Sequence, residues 1–476
     1  MSNIIFGTDG WRAIISNDFN CHNISRVIIA VSKWLKNKYT DTPIKVVIGN
    51  DCRFMGRQFS NLIAGILVKQ EIQVILSSNN FVSTPMVSLA TRHYNAHLGI
   101  IVTASHNPYY YSGIKLKGNY GGPLDELSVK EIESLIPQDI DMQIQLQLNS
   151  NCLDNNPLIT TKDLESLYIE NIENNIDTNA INKHSEYLVY DLMYGAGQNA
   201  IKQILPKSTL VNAEVNPNFG YSAPEPIEKN LIQLQNLIIN KSYKCAIALD
   251  GDADRLAIFD EKGCYISSHK IIMLLILYLY EYKGLKGDVI STFSCTDKIQ
   301  KLCNIYGINH TVTKVGFKYI CQLMTANPKQ YMLGGEESGG IALNHYLCER
   351  DGIFISLNII ALMIESKKTL SELIDNLYDK VGYFSTGRID LSLTKQKEEI
   401  LKKYINKDFK EFFQNKVIGV EYLDGIKFRF ANESWVMLRL SGTEPLLRIY
   451  YEANTNDESG ALINETKSII EKLCVC

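Results

Sequence analysis

Short apolar runs that stop at a polar loop recur along this chain, and they constrain its fold more than any other feature. Lys45-Val46-Val47-Ile48-Gly49 is a continuous apolar run closed by glycine, and Phe59 to Val68 then carries apolar residues at helical spacing. A strand-length run followed by a helix-spaced one reads as a βα unit, because the helix covers the face of a parallel sheet. Similar junctions occur at Tyr187–Asp191 and Ala246–Asp250. Three related α/β domains with mixed sheets are expected. Beyond Gly382 the pattern changes: Val417 to Phe430 alternates around Asp424-Gly425, a hairpin signal, and Asp457 to Leu473 reads as a closing helix. The last domain is therefore expected to be α+β on an antiparallel sheet.

With 476 residues the chain exceeds one ordinary domain. The segment from Pro137 to Leu158 is rich in Gln, Asn and Asp and holds Asn155-Asn156-Pro157, which marks a linker. The expected domains are 1–155, 156–263, 264–382 and 383–476.

Composition removes several function classes. Forty-eight basic residues against 52 acidic ones give a net charge of −4, with 45% hydrophobic and 21% charged residues, so bulk electrostatics offers nothing to nucleic acid or a membrane surface. The N-terminus has neither the basic nor the long apolar region of a secretory signal. The longest apolar run, Ile271 to Tyr280, falls short of the ~20 residues that span a bilayer and is expected to be a buried helix. Eleven cysteines, an odd number without Cys-x-x-Cys pairs, fit reduced thiols in a cytoplasmic protein.

Chemistry concentrates in four loops. Thr103-Ala104-Ser105-His106-Asn107-Pro108 follows an apolar strand, which frees the Ser105 hydroxyl from the sheet. A hydrolase triad does not fit, because His106 is the immediate neighbour and no Gly-x-Ser-x-Gly elbow surrounds the serine. Asp250-Gly251-Asp252-Ala253-Asp254-Arg255 alternates carboxylates on a tight turn, which converges oxygens on one small hard cation such as Mg²⁺. A calcium loop is excluded by Arg255 at the position that needs glycine. An aspartyl-phosphate enzyme, whose strand also ends in Asp-x-Asp, remains a rival. Arg439 to Arg448 joins two apolar strands through hydroxyls, Gly442 and flanking arginines, the makings of a phosphate cradle. Leu333 to Gly340 is glycine-rich but acidic, which suits sugar hydroxyls.

Taken in this order, Ser-His-Asn-Pro, Asp-Gly-Asp-Ala-Asp-Arg, Gly-Glu-Glu-Ser-Gly and Arg-x-Ser-Gly-Thr-Glu-Pro resemble the α-D-phosphohexomutase family of phosphoglucomutases and phosphomannomutases. The likeness extends to Phe6-Gly7-Thr8-Asp9-Gly10-Trp11-Arg12 and to Gly220-Tyr221-Ser222-Ala223-Pro224-Glu225-Pro226. It implies a heart-shaped, four-domain enzyme with one loop per domain meeting in a cleft, interconverting hexose 1-phosphate and hexose 6-phosphate. Small-molecule phosphosugars are the implied partners, and glucose 1,6-bisphosphate the implied intermediate and activator.

By the same resemblance Ser105 is the phosphoserine and completes a Mg²⁺ site with Asp250, Asp252 and Asp254. Arg12, His106 and Lys115 surround it, with Lys115 a candidate proton carrier. Arg255 contacts the phosphosugar, while Lys318, Glu336 and Ser338 hold sugar hydroxyls. Arg439, Ser441, Gly442, Thr443 and Arg448 grip the phosphate that is not reacting. One departure stands out: bifunctional glucose/mannose members carry a histidine where this chain has Gly340, and His345 lies five residues on. Glutamine usually replaces Glu337 in glucosamine mutases, so the resemblance leans to glucose, with mannose second. Two alternatives are an aspartyl-phosphate phosphatase using Asp250 and a non-catalytic sugar-phosphate sensor on the same scaffold.

Overall fold

The computed structural model describes residues 4–40, 42–140, 153, 155–404, 413–414, 416–440 and 446–473. It divides into two compact units, one comprising the chain to Val289 together with Gly316–Leu373, the other Ile290–Val315 and the chain from Ile374 onward.

The first unit contains two mixed sheets. Strands β1 (Trp11–Ile14), β2 (Lys45–Asn50), β3 (Gln73–Ser77), β4 (Leu98–Val102), β5 (Tyr111–Gly118) and β6 (Ile159–Lys162) form a six-stranded sheet in the order β1-β5-β4-β2-β3-β6. Every residue of β4 is buried, as expected for a strand covered on both faces. Helices Cys21–Lys38 and Gly56–Lys69 pack on this sheet through Ile24, Val27, Ile28, Val31, Ile63 and Leu67. Asn20 caps the first by accepting from the amide of Asn23. β6 pairs in parallel with β3, so this sheet draws its last strand from beyond residue 155. Most of the polar stretch read as a linker, 141–152, lies outside the described residues.

β7 (Leu188–Asp191), β8 (Thr209–Val211), β9 (Cys245–Leu249), β10 (Leu256–Asp260) and β11 (Tyr265–Ile266) form a five-stranded sheet ordered β11-β10-β9-β7-β8. The sequence pattern at Ala246–Asp250 suggests a βα unit, but β9 instead runs antiparallel to β10, with Leu249 opposite Leu256. The serine loop also lies between antiparallel strands, β4 and β5. Antiparallel neighbours need no crossover helix, so each reactive loop can be short and tightly held.

β12 (Asp288–Thr292) carries the chain from one unit to the other, and β13 (His310–Thr313) belongs to the second. In the first unit β14 (Tyr331–Gly335) and β15 (Ile341–Leu343) pair antiparallel, Gly335 opposite Ile341. The apolar run becomes helix Ser268–Leu277, buried at all but one position, and continues as a π-helical turn over Tyr278–Tyr282.

The second unit is built on an antiparallel sheet of β16 (Ser385–Ser392), β17 (Val417–Glu421), β18 (Ile426–Phe430), β19 (Trp435–Leu440) and β20 (Leu446–Ala453), ordered β16-β20-β19-β18-β17. The expected hairpin joins β17 to β18. Helix Asn456–Leu473 buries Leu462, Ile469, Ile470 and Leu473 in a core with Ile426, Phe428, Val436 and Ile449.

Candidate active site

Ser105 sits three residues beyond β4, fully buried, in the left-handed backbone region at φ 49°. A non-glycine residue there costs conformational energy and persists only when its surroundings fix it. Arg53 does much of that fixing. Its guanidinium donates to the carbonyls of Ser105 (2.6 Å), Asn107 (2.7 Å), Pro108 (2.9 Å) and Tyr111 (2.9 Å). Arg53 is in turn paired with Asp51, which accepts from the Thr103 hydroxyl, and Thr103 accepts the amide of Ser105 at 2.9 Å.

The acidic loop closes the β9–β10 hairpin directly against the serine. Ser105 Oγ donates to Asp250 Oδ2 at 2.7 Å, and Asp250 Oδ1 accepts the amide of Arg255 at 3.1 Å. Asp250, Asp252 and Asp254 are all fully buried, each with a carboxylate oxygen within 4.8 Å of the others. Burial and the two neighbouring carboxylates hold the Asp250 pKa well above its ordinary value. Asp252 Oδ1 and Asp254 Oδ1 are buried without a hydrogen-bond partner. Converging hard oxygens, two of them unsatisfied, fit a small divalent cation.

Lys115 reaches this cluster from β5. Its ammonium lies 2.6 Å from Asp252 Oδ2, 2.7 Å from Asp254 Oδ2 and 3.0 Å from Asp9. Burial opposes its charge, yet Asp252, Asp254 and Asp9 outweigh burial and raise its pKa. In this arrangement the Lys115 ammonium is held against three carboxylates. His106 Nδ1 is 3.3 Å from Ser105 Oγ, and burial with Arg255 and Arg12 nearby holds the imidazole pKa well below its usual value. Pairing of β1 with β5 sets Arg12 opposite Gly113, and Arg12 donates to Asn107 Oδ1 at 2.6 Å. Arg255 is half-buried, with Nε 3.8 Å from Asp254 Oδ1.

The remaining expected residues divide between the two units. Lys318 pairs with Glu126 at 2.9 Å, and both line a cavity of about 90 Å³ with Phe6, Asp9 and Gly10. Glu336 is buried at the end of β14, its pKa pushed up to about 7 by that burial, while Ser338 is half-buried in the turn. His345 is exposed, its ring 6.3 Å from that of Phe354. Arg439 and Arg448 stand opposite each other on β19 and β20 of the second unit, and Arg439 Nε is 3.1 Å from Asp424. Ser441, Gly442 and Thr443 lie outside the described residues.

Several residues of the cluster escaped the sequence reading. Arg350 pairs with Asp9 and, at 2.9 Å, with Asp254. Glu349 pairs with the buried Lys117 at 2.6 Å and accepts from Ser88 at 3.1 Å. The available signal was Glu349-Arg350-Asp351, three ionisable residues set between apolar Leu347 and Ile353. Thr84, whose hydroxyl donates to Asp252, carried no such signal.

Family profiles for phosphoglucomutase/phosphomannomutase match in four segments: alpha/beta/alpha domain I over residues 3–141, domain II over 166–263, domain III over 267–381 and the C-terminal domain over 393–467. A phosphoglucomutase/phosphomannomutase of Thermococcus kodakarensis is 30% identical over 459 residues, covering 96% of both chains. A phosphoglucosamine mutase of Alkaliphilus oremlandii is 28% identical over 484 residues, 98% of this chain and 99% of that one. A crystal structure of a Thermus thermophilus protein assigned as a phosphomannomutase superposes with a TM-score of 0.85 at 30% identity, over 99% of each chain. The chain thus belongs to the phosphoglucomutase/phosphomannomutase family of α-D-phosphohexomutases and is an enzyme that transfers phosphate intramolecularly.

Proposed function

We propose that this phosphohexomutase carries the phosphoryl group on Ser105 and interconverts glucose 1-phosphate and glucose 6-phosphate through glucose 1,6-bisphosphate, with mannose phosphates as secondary substrates. The observation that carries the reading is the Ser105 hydroxyl 2.7 Å from Asp250, at the edge of a buried carboxylate cluster in which two oxygens lack a hydrogen bond. Asp250, Asp252 and Asp254 would hold Mg²⁺, which when bound draws charge from the transferring phosphoryl group. Arg12 and Lys115 supply fixed positive charge beside the serine, and His106 lies within reach of its hydroxyl. Arg255, Lys318, Glu336 and Ser338 orient the sugar. Arg439, Ser441, Gly442, Thr443 and Arg448 grip the distal phosphate. The four-domain division at residues 155, 263 and 382, and a cytoplasmic setting, belong to the same reading.

Two features bear on the hexose. Glu337 stands where glutamine would signal an amino-sugar enzyme. At Gly340 a Cβ would come within 2.5 Å of Arg350 Cδ and 3.2 Å of Glu336 Oε2, so no histidine fits there while Arg350 holds Asp9 and Asp254. The sugar is therefore read by Glu336 and its neighbours without an imidazole at that position.

Coupled assays on one preparation with glucose, mannose, glucosamine and N-acetylglucosamine 1-phosphates test the assignment. The highest kcat/KM is expected with glucose 1-phosphate. A higher value with glucosamine 1-phosphate would move the enzyme to amino-sugar metabolism.

A further inference from the structure

Away from the acidic cluster, two buried cysteines face each other across the first unit. Cys321 lies in helix Phe317–Ala326 and is 1% exposed; Cys348 lies after β15 and is 8% exposed. Their sulfurs are 3.4 Å apart. Each thiol also approaches the other residue's carbonyl, Cys321 Sγ at 3.2 Å from Cys348 O and Cys348 Sγ at 3.5 Å from Cys321 O. Thr325 Oγ1 is 3.7 Å from Cys321 Sγ and 3.5 Å from Cys348 Sγ. The backbone of Gly122 covers the pair so closely that a Cβ there would meet Cys321 Sγ at 2.4 Å and Cys348 O at 2.5 Å. Two thiols held face to face need little movement to reach the ~2.0 Å of a sulfur–sulfur bond.

We infer that Cys321 and Cys348 form a modification site, oxidised by a peroxide to a disulfide that lowers turnover and is reversed by thiols. The Cys348 thiolate attacks one peroxide oxygen and becomes a sulfenic acid, while the other oxygen leaves as hydroxide and takes up the released proton. The Cys321 thiol then attacks the sulfenic sulfur, and a second water departs. Two thiols and one hydrogen peroxide thus give one disulfide and two waters, the sulfurs losing two electrons and the peroxide gaining them. Its interaction with the adjoining Cys321 thiol lowers the Cys348 pKa, which favours Cys348 as the attacking sulfur.

The consequence for the enzyme follows from what each cysteine is attached to. Arg350, two residues after Cys348, holds Asp9 and Asp254, and its guanidinium stacks 5.3 Å from the ring of Phe317. Phe317 begins the helix that carries Cys321 one turn later, with Lys318 beside it. The disulfide would therefore tie together the same two elements that the Arg350–Phe317 contact joins, drawing the sulfurs more than an ångström closer. Arg350 would have to move with its loop, and the carboxylate it holds in the acidic cluster would move too.

The test uses the full-length protein, reduced, desalted and exposed to stoichiometric hydrogen peroxide. Free thiols are then blocked with iodoacetamide, and the digest is mapped by mass spectrometry while turnover is measured in parallel. The expected result is a peptide joined through Cys321 and Cys348 while the exposed Cys264 remains alkylated. Turnover should fall by at least ~10-fold, since an ångström of misplacement can cost about 10²-fold, and should recover with dithiothreitol. The Cys321→Ser protein should keep its turnover under the same peroxide. Recovery of both cysteines as alkylated thiols, or a joined peptide with turnover unchanged, would overturn the inference; both readings come from wild-type protein and do not depend on how the variant folds.

Discussion

Gly251 packs against the backbone of Ser105 with no room for a side chain: a Cβ at Gly251 would stand 2.5 Å from the Ser105 carbonyl oxygen. The two reactive loops are thus locked by a backbone contact as well as by the Ser105–Asp250 hydrogen bond. Gly251→Ala should drive the loops apart and, since an ångström of misplacement can cost about 10²-fold, should lower kcat by at least ~10-fold. Steady-state kinetics alongside circular dichroism would separate this from unfolding. Wild-type kcat in a folded variant would mean that the loops accommodate the methyl group without losing their geometry.

Asp252 has one oxygen bound by Thr84 and Lys115 and the other without a hydrogen bond. Asp252→Asn removes a charge from the proposed metal site and leaves Lys115 with fewer anionic partners. If the cation supplies several kcal/mol of transition-state stabilisation, turnover should fall by ~10²-fold or more. Mg²⁺ affinity, measured by calorimetry, should weaken in parallel. Undiminished Mg²⁺ affinity would remove Asp252 from the ligand set.

His310, in the second unit, donates through Nδ1 to Gln300 Oε1 at 3.1 Å, which leaves Nε2 of the neutral ring to accept from Ser291 Oγ at 2.8 Å. Burial pushes its pKa down to about 4, against ~6.5 in an unfolded chain. A depressed folded pKa gives stability that is fully present above the unfolded value and lost as pH falls through the folded one. Melting temperatures taken from near neutrality down towards about pH 4 should therefore drop more for wild type than for His310→Gln. Parallel curves would show that His310 stays uncharged or is equally stable charged.

Much of the site was legible because its residues announce their chemistry locally. Three carboxylates at alternate positions after an apolar run have few uses besides binding a cation, and a serine just past a buried strand end is freed from the ladder. What the sequence hid was pairing at long range. Asp9 and Arg350 are separated by 341 residues and meet as an ion pair, and no local pattern records that. The hairpin character of the serine and acidic loops was hidden for a related reason, since β9 and β10 are apolar runs whose direction of pairing is set by the sheet. The C-terminal antiparallel sheet was easier, because Asp424-Gly425 between alternating residues fixes a tight turn on its own.

The central claim is that Ser105 carries the phosphoryl group, and intact-mass spectrometry after incubation with glucose 1,6-bisphosphate tests it most directly. Wild-type protein should gain the mass of one phosphate, and peptide mapping should assign it to Ser105. Ser105→Ala should gain none and should lose mutase turnover. A variant that still takes up one phosphate, or that turns over glucose 1-phosphate at the wild-type rate, would contradict the account.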